Sequence, residues 1–138
     1  MINFVIVTHG EFGAYLVEAA ESIVGRQKDG VRVLSVSARL GIGELRERLK
    51  KLVKELSGAD GLIIFTDMPA GTPVNIAFPA VSDRPKVELV SGVNLYMLVS
   101  AFSHREYYTL ENLTAKVLRD GQGSICDIRR LVESKVKA

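Results

Sequence analysis

Two residues that can carry charge through a reaction stand where apolar runs end: His9 closes FVIVTHG and Asp67 closes GLIIFTD. A carboxylate beside one imidazole nitrogen fixes the tautomer and leaves the other nitrogen its lone pair. It also stabilises the cation formed when that nitrogen is alkylated or phosphorylated. This is the chemistry of a nucleophile and its orienter. The loop MPAGTPVN follows Asp67 and supplies the second requirement. Gly71 lets backbone come close to a ligand, Thr72 fits a helix N-cap and Pro73 fits the first helical position. Free N–H groups and a positive helix end then face outward, an arrangement suited to a phosphoryl group. The loop Ser91 to Asn94 follows another apolar run, and the Asn94 side chain or its neighbouring amides would complete the rim. Singly, each feature has a plain structural reading: a polar strand cap, a turn residue, an ordinary helix start. Their conjunction makes function an even match for structure.

The elements must bring these residues together. Ile2 to Val7 is nearly all apolar and rich in β-branched residues, the pattern of a strand buried on both faces. From Glu11 to Val24 the period becomes helical, with Phe12, Leu16, Ala19, Ala20 and Ile23 recurring and Gly25 as a stop. VRVLSV reads as a second strand. IGELRERLKKLVKEL reads as a helix with Leu45, Leu49, Leu52, Val53 and Leu56 on one face. GLIIFTD and KVELVSG are further strands, separated by a short helix that Pro79 is expected to end or kink. Two helices follow, over NLYMLVSAFSHR and TLENLTAKVLRDG, then SICDI as a short fifth strand and RRLVESKVKA as a basic helical tail. Alternating strands and helices imply an α/β, doubly wound, mostly parallel sheet covered on both faces. Ligands of such sheets lie at the carboxyl ends of the strands where the winding reverses, commonly between the first and third, which is where His9 and Asp67 would meet.

The 138 residues suit a single domain, 1–138, with one core. A net charge of +2 leaves no Lys/Arg stripe to neutralise a run of phosphates, which argues against nucleic acid as a partner. The single cysteine, Cys126, excludes an intrachain disulfide, and with two histidines and no ligand spacing neither a metal nor another cofactor is expected. Cys126 itself reads as an inert small hydrophobe in the fifth strand. No apolar run is long enough to cross a bilayer and no signal peptide is evident, so the expected location is cytoplasmic. His104 reads as a helix-end residue satisfying terminal carbonyls, and Tyr107 and Tyr108 as packing or interface residues. The cations Arg46, Arg48, Lys50, Lys51 and Lys54 interleave with Glu44, Glu47 and Glu55 and read as a solvated helix face. Neither a Walker P-loop nor a Gly-x-Gly-x-x-Gly follows the first strand.

Three blocks, IVTHGEFGAYLVEAAESIVG, IIFTDMPAGTPVN and VELVSGVNLYMLV, carry a resemblance to the mannose/fructose-type enzyme IIA family of the bacterial phosphoenolpyruvate-dependent sugar phosphotransferase system. The similarity extends over essentially the whole chain. It implies that His9 accepts a phosphoryl group from the phosphocarrier HPr and passes it to a IIB protein, making the chain a phosphotransferase with a transient phosphohistidine. It implies that Asp67 hydrogen-bonds the imidazole and that Gly71 and Thr72 surround the phosphoryl group. Beside these, Gly10 leaves space for that group, and because donor and acceptor proteins must reach His9 on an open face, Phe12, Met68 and Pro69 suit an apolar rim with Asn94 next to it. It further implies a four-stranded parallel sheet in the order 2-1-3-4 and an antiparallel edge strand exchanged within a homodimer, SICDI standing where that strand would be. Contact with the membrane would be indirect, through a IIC/IID complex.

The chain departs from the family pattern at Ala70-Gly71, where two glycines are usual, and at Tyr96, where proline is usual. Two alternatives share the phosphohistidine: a regulatory module that reports phosphorylation state, and a donor to a dihydroxyacetone kinase. A histidine phosphatase, suggested by His-Gly after the first strand, lacks its arginine here because Thr8 occupies that place.

Overall fold

The computed structural model describes residues 1–137. Its sheet contains β1 (Asn3–His9), β2 (Val31–Val36), β3 (Leu62–Thr66) and β4 (Val87–Val90), in the order β2-β1-β3-β4. All neighbouring strands are parallel. The apolar runs form strands because both sheet faces are covered. Phe4, Ile6, Ile63 and Phe65 face one side, under α1 (Phe12–Val24), α4 (Leu95–His104) and α5 (Leu110–Gly123). Val5, Val7, Leu62 and Ile64 face the other, under α2 (Ile42–Leu56) and α3 (Thr72–Val81). On the first side the Phe4 ring lies 5.8 Å from Phe65 and 5.7 Å from Phe102. Such tilted aromatic pairs add about 0.5–1.5 kcal/mol each beyond the area they bury.

The α2 stripe packs as its period implies, with Leu45, Leu49, Val53 and Leu56 buried and Leu52 partly so. Its charged face is exposed, and Arg48 pairs with Glu44 at 3.0 Å. The α1 stripe is rotated from expectation. Gly13 and Ala20 are buried and Leu16, Val17 and Val24 pack on the core, while Phe12 and Ile23 are exposed. Gly13 decides this: a Cβ there would lie 2.9 Å from Ile6 Cγ2 and 3.0 Å from Thr8 Oγ1, so its bare backbone seats the helix directly on β1.

One expected feature differs. Pro79 does not end α3, which runs on to Val81 and closes with Ser82 N–H donating to Phe78 O. Two residues from the end, a proline interrupts little of the remaining ladder. Within the single chain SICDI pairs with no strand, and the strand expected there is one exchanged with a second copy. Asp127 starts α6 (Ile128–Lys137), its carboxylate accepting the Arg130 N–H at 3.1 Å and its carbonyl the Leu131 N–H. Cys126 is exposed in the single chain.

The base of the sheet, opposite the carboxyl ends, is tied by Arg105, which is only 4% exposed. Its Nε donates to Ile2 O, one terminal nitrogen to Gln27 Oε1 and Asp29 O, and the other to Asn3 Oδ1 and Gly30 O. All five guanidinium N–H groups are thereby used, and the cation also lies 5.0 Å from the Phe4 ring centroid. Burial lowers its pKa, against the opposing pull of Glu106 and Asp29.

Candidate functional site

The pairing Val7↔Thr66 brings the ends of β1 and β3 side by side, so His9, two residues beyond Val7, and Asp67, the residue after Thr66, meet at the edge where the winding reverses. Asp67 Oδ2 accepts the His9 backbone N–H at 2.9 Å and lies 2.8 Å from His9 Nδ1. Its other oxygen accepts the Met68 N–H at 2.9 Å. A carboxylate only accepts, so Nδ1 carries the proton and Nε2 keeps its lone pair. The His9 side chain is 52% exposed and that of Asp67 11%. Partial burial pushes the Asp67 carboxyl up, but the hydrogen bonds from the His9 backbone and ring and attraction to the ring outweigh it. The net effect holds the group below the usual carboxylate value.

The loop after Asp67 closes on the free nitrogen. Gly71 has φ 102°, and a Cβ placed on it would lie 3.7 Å from His9 Cε1 and 3.8 Å from Nε2. Glycine is needed here for its backbone angle and because it leaves the space before Nε2 open. Thr72 is not the N-cap: Gly71 is, its carbonyl accepting the Asn75 N–H, and Thr72 is the first helical residue with Pro73 after it. The positive φ already turns the chain into the helix, so no side-chain cap is used. The start of a helix, with its unspent N–H groups, therefore abuts the ring nitrogen that carries the lone pair.

Gly10 lies beyond His9 with φ 53° and its N–H on Val36 O, turning the chain from β1 towards α1. Phe12, Met68 and Pro69 are exposed, the first two at 47% and 54%. Asn94 is occupied elsewhere. Its Oδ1 accepts the Met97 N–H and caps α4, and its Nδ2 reaches Gly92 O. The 91–94 loop still borders this edge, since Val93 N–H donates to Thr66 O at 3.0 Å.

His104 Nδ1 lies 2.8 Å from Ser100 O in the last turn of α4 and its ring meets Tyr108 edge-on, while Tyr107 is 81% exposed. Sequence reasoning passed over Thr8, whose hydroxyl is buried beside His9 and accepts the Gly13 N–H at 2.7 Å. A hydroxyl residue immediately before the strand-end histidine was the available signal. Among the described residues no cluster of His, Cys, Asp and Glu is placed to hold a metal ion, and no helix is long and apolar enough to cross a membrane.

The family model described as PTS system fructose IIA component matches residues 3–118. The fructose-specific EIIA component of Bacillus subtilis is 28% identical over 113 residues, covering 82% of this chain and 77% of that protein. The mannose-specific EIIAB component of Escherichia coli K12 is 30% identical over 105 residues, 76% of this chain. The match spans only 32% of that longer protein. Among solved structures, the PTS IIA protein associated with the fucose utilization operon of Streptococcus pneumoniae superposes with a TM-score of 0.85 at 26% identity, over 95% of this chain and 96% of that one.

Proposed function

This chain belongs to the family of PTS fructose IIA components, of mannose/fructose type, and from that premise we propose that it is a cytoplasmic phosphoryl carrier. It accepts a phosphoryl group from phospho-HPr on His9 and passes it to a IIB protein of a sugar phosphotransferase system. The observation that carries this reading is the pairing of opposite roles on one ring: Nδ1 held by Asp67, and Nε2 open beside the Gly71 helix start.

In the charging step the Nε2 lone pair attacks the phosphorus of the donor's phosphohistidine. The donor P–N bond breaks and its electron pair stays on the donor imidazole. The Nδ1 proton stays on its hydrogen bond to Asp67, whose negative charge offsets the positive charge that develops on the ring. Transfer has a loose, metaphosphate-like character, so positioning and N–H groups directed at the phosphoryl oxygens are what the protein must supply. Gly71 and the Thr72 backbone supply them, Gly10 leaves room, and the exposed Phe12, Met68 and Pro69 offer an apolar rim to docking proteins. Discharge reverses the step towards IIB.

The whole chain acts as one carrier domain within a homodimer. The exposed apolar side chains of Ile125 (82%), Ile128 (64%) and Val136 (81%) support a second copy covering the C-terminal segment, and sedimentation of the purified protein tests it. Relay is distinguished from mere sensing by mixing the charged protein with IIB proteins of the mannose/fructose type. Loss of the phosphoryl group from this chain with its appearance on IIB supports the relay. A charged form that discharges onto no IIB favours the regulatory reading.

A further inference from the structure

The turn after His9 lacks the usual means of starting a helix. The N-cap of α1 is Glu11, and its side chain makes no cap hydrogen bond. The role passes to Thr8, fully buried at the end of β1, whose Oγ1 accepts the Gly13 N–H at 2.7 Å across the intervening His9, Gly10, Glu11 and Phe12. The contact is close on both sides, since a Cβ on Gly13 would lie 3.0 Å from Thr8 Oγ1 and 3.2 Å from Thr8 Cγ2. His9 therefore sits inside a clamp of three backbone ties: its own N–H on Asp67, the Gly10 N–H on Val36 O, and the Gly13 N–H on the Thr8 hydroxyl. Only the last is made by a side chain adjacent to His9 and reaching forward over it.

We infer that Thr8 is a positioning residue for transfer at His9, its hydroxyl fixing the His9–Glu11 turn so that the ring keeps Nδ1 on Asp67 and Nε2 towards Gly71. This rests on the carrier reading above, but it makes a claim about the uncharged protein that can be read separately. A hydroxyl in this place has two faces. The oxygen sets the backbone angle at which the ring leaves the strand, and Cγ2 fills space against Gly13. A packing role would depend on the methyl, a positioning role on the oxygen.

The test compares Thr8→Ser, which keeps the hydroxyl and drops the methyl, with Thr8→Val, which keeps the shape and drops the acceptor. Two quantities are read: the maximal rate of His9 phosphorylation with its half-saturating donor concentration, and the 15N shifts of the His9 ring in the unphosphorylated protein. Thr8→Ser is expected to charge within about threefold of wild type and to show the wild-type ring pattern, with the proton on Nδ1. Thr8→Val is expected to lose at least tenfold in maximal rate, keep its half-saturation within about twofold, and show a ring exchanging between tautomers. A wild-type rate and ring pattern in Thr8→Val would overturn the inference. So would a Thr8→Ser protein that loses rate in step with thermal stability, an outcome that stays readable if Thr8→Val does not fold. Absence of charging in wild type would count against the carrier reading, while the ring shifts would still decide the role of Thr8.

Discussion

Replacing Asp67 by asparagine changes one oxygen for an NH2 and should disable His9 without disturbing the core. The native carboxylate accepts three N–H groups: the His9 backbone and ring on one oxygen, and Met68 on the other. An asparagine can meet only one side of this demand, because its NH2 must face either the His9 donors or the Met68 donor. With the NH2 towards His9, Nδ1 must become the acceptor and the ring proton moves to Nε2, where it covers the attacking lone pair. With the oxygen towards His9, the tautomer survives but the negative charge that offsets a developing ring cation is lost. A hydrogen bond to a charged group contributes roughly 1.5–3 kcal/mol, and at 1.36 kcal/mol per decade the transfer rate should fall roughly 10- to 150-fold. The assay is rapid-quench charging by phospho-HPr at saturating donor, with Asp67→Asn measured beside wild type. The acid side of stability gives a second reading. A carboxyl held below its ordinary 3.8 stabilises the fold fully above that value and loses the contribution as pH falls through the lowered one. Asp67→Asn should therefore lack that contribution at neutral pH and show a shallower loss of stability below pH 3.8. Charging within threefold of wild type would refute the orienter argument.

Two further substitutions separate site from scaffold. Gly71→Ala forces a side chain into φ 102° and sets a methyl within 3.7–3.8 Å of the His9 ring. It should destabilise by at least about 1 kcal/mol and slow charging by more than that strain alone explains; unchanged charging would show that the space before Nε2 is not used. Arg105→Met removes five donors from buried acceptors at the far end of the sheet and should cost about 3–5 kcal/mol in urea unfolding. A loss under about 1 kcal/mol would mean that the tie is not needed.

The sheet was legible because a strand buried on both faces has no alternative to a run of β-branched and apolar residues, and four such runs alternate with helical periods. The meeting of His9 and Asp67 followed from the parallel winding alone, since their strands end on chemistry-bearing residues at the same edge. What escaped the sequence depended on tertiary contact. Nothing in SHREYY signals that Arg105 finds its acceptors 75 to 103 positions away. The α1 register was set by the fit of Gly13 against Ile6 and Thr8, which an apolar period does not encode. At the site, Thr72 looked like the cap by residue preference, and the positive φ of Gly71 moved that role one position back.

The central claim is tested most directly by intact mass. The protein is incubated with phosphoenolpyruvate, enzyme I and HPr, and compared with His9→Ala under the same conditions. A carrier charged at His9 gains one phosphoryl group per chain, labile in acid and stable in base, and His9→Ala gains none. No added mass on wild type with an HPr that charges another IIA protein, or an unchanged gain on His9→Ala, would contradict it.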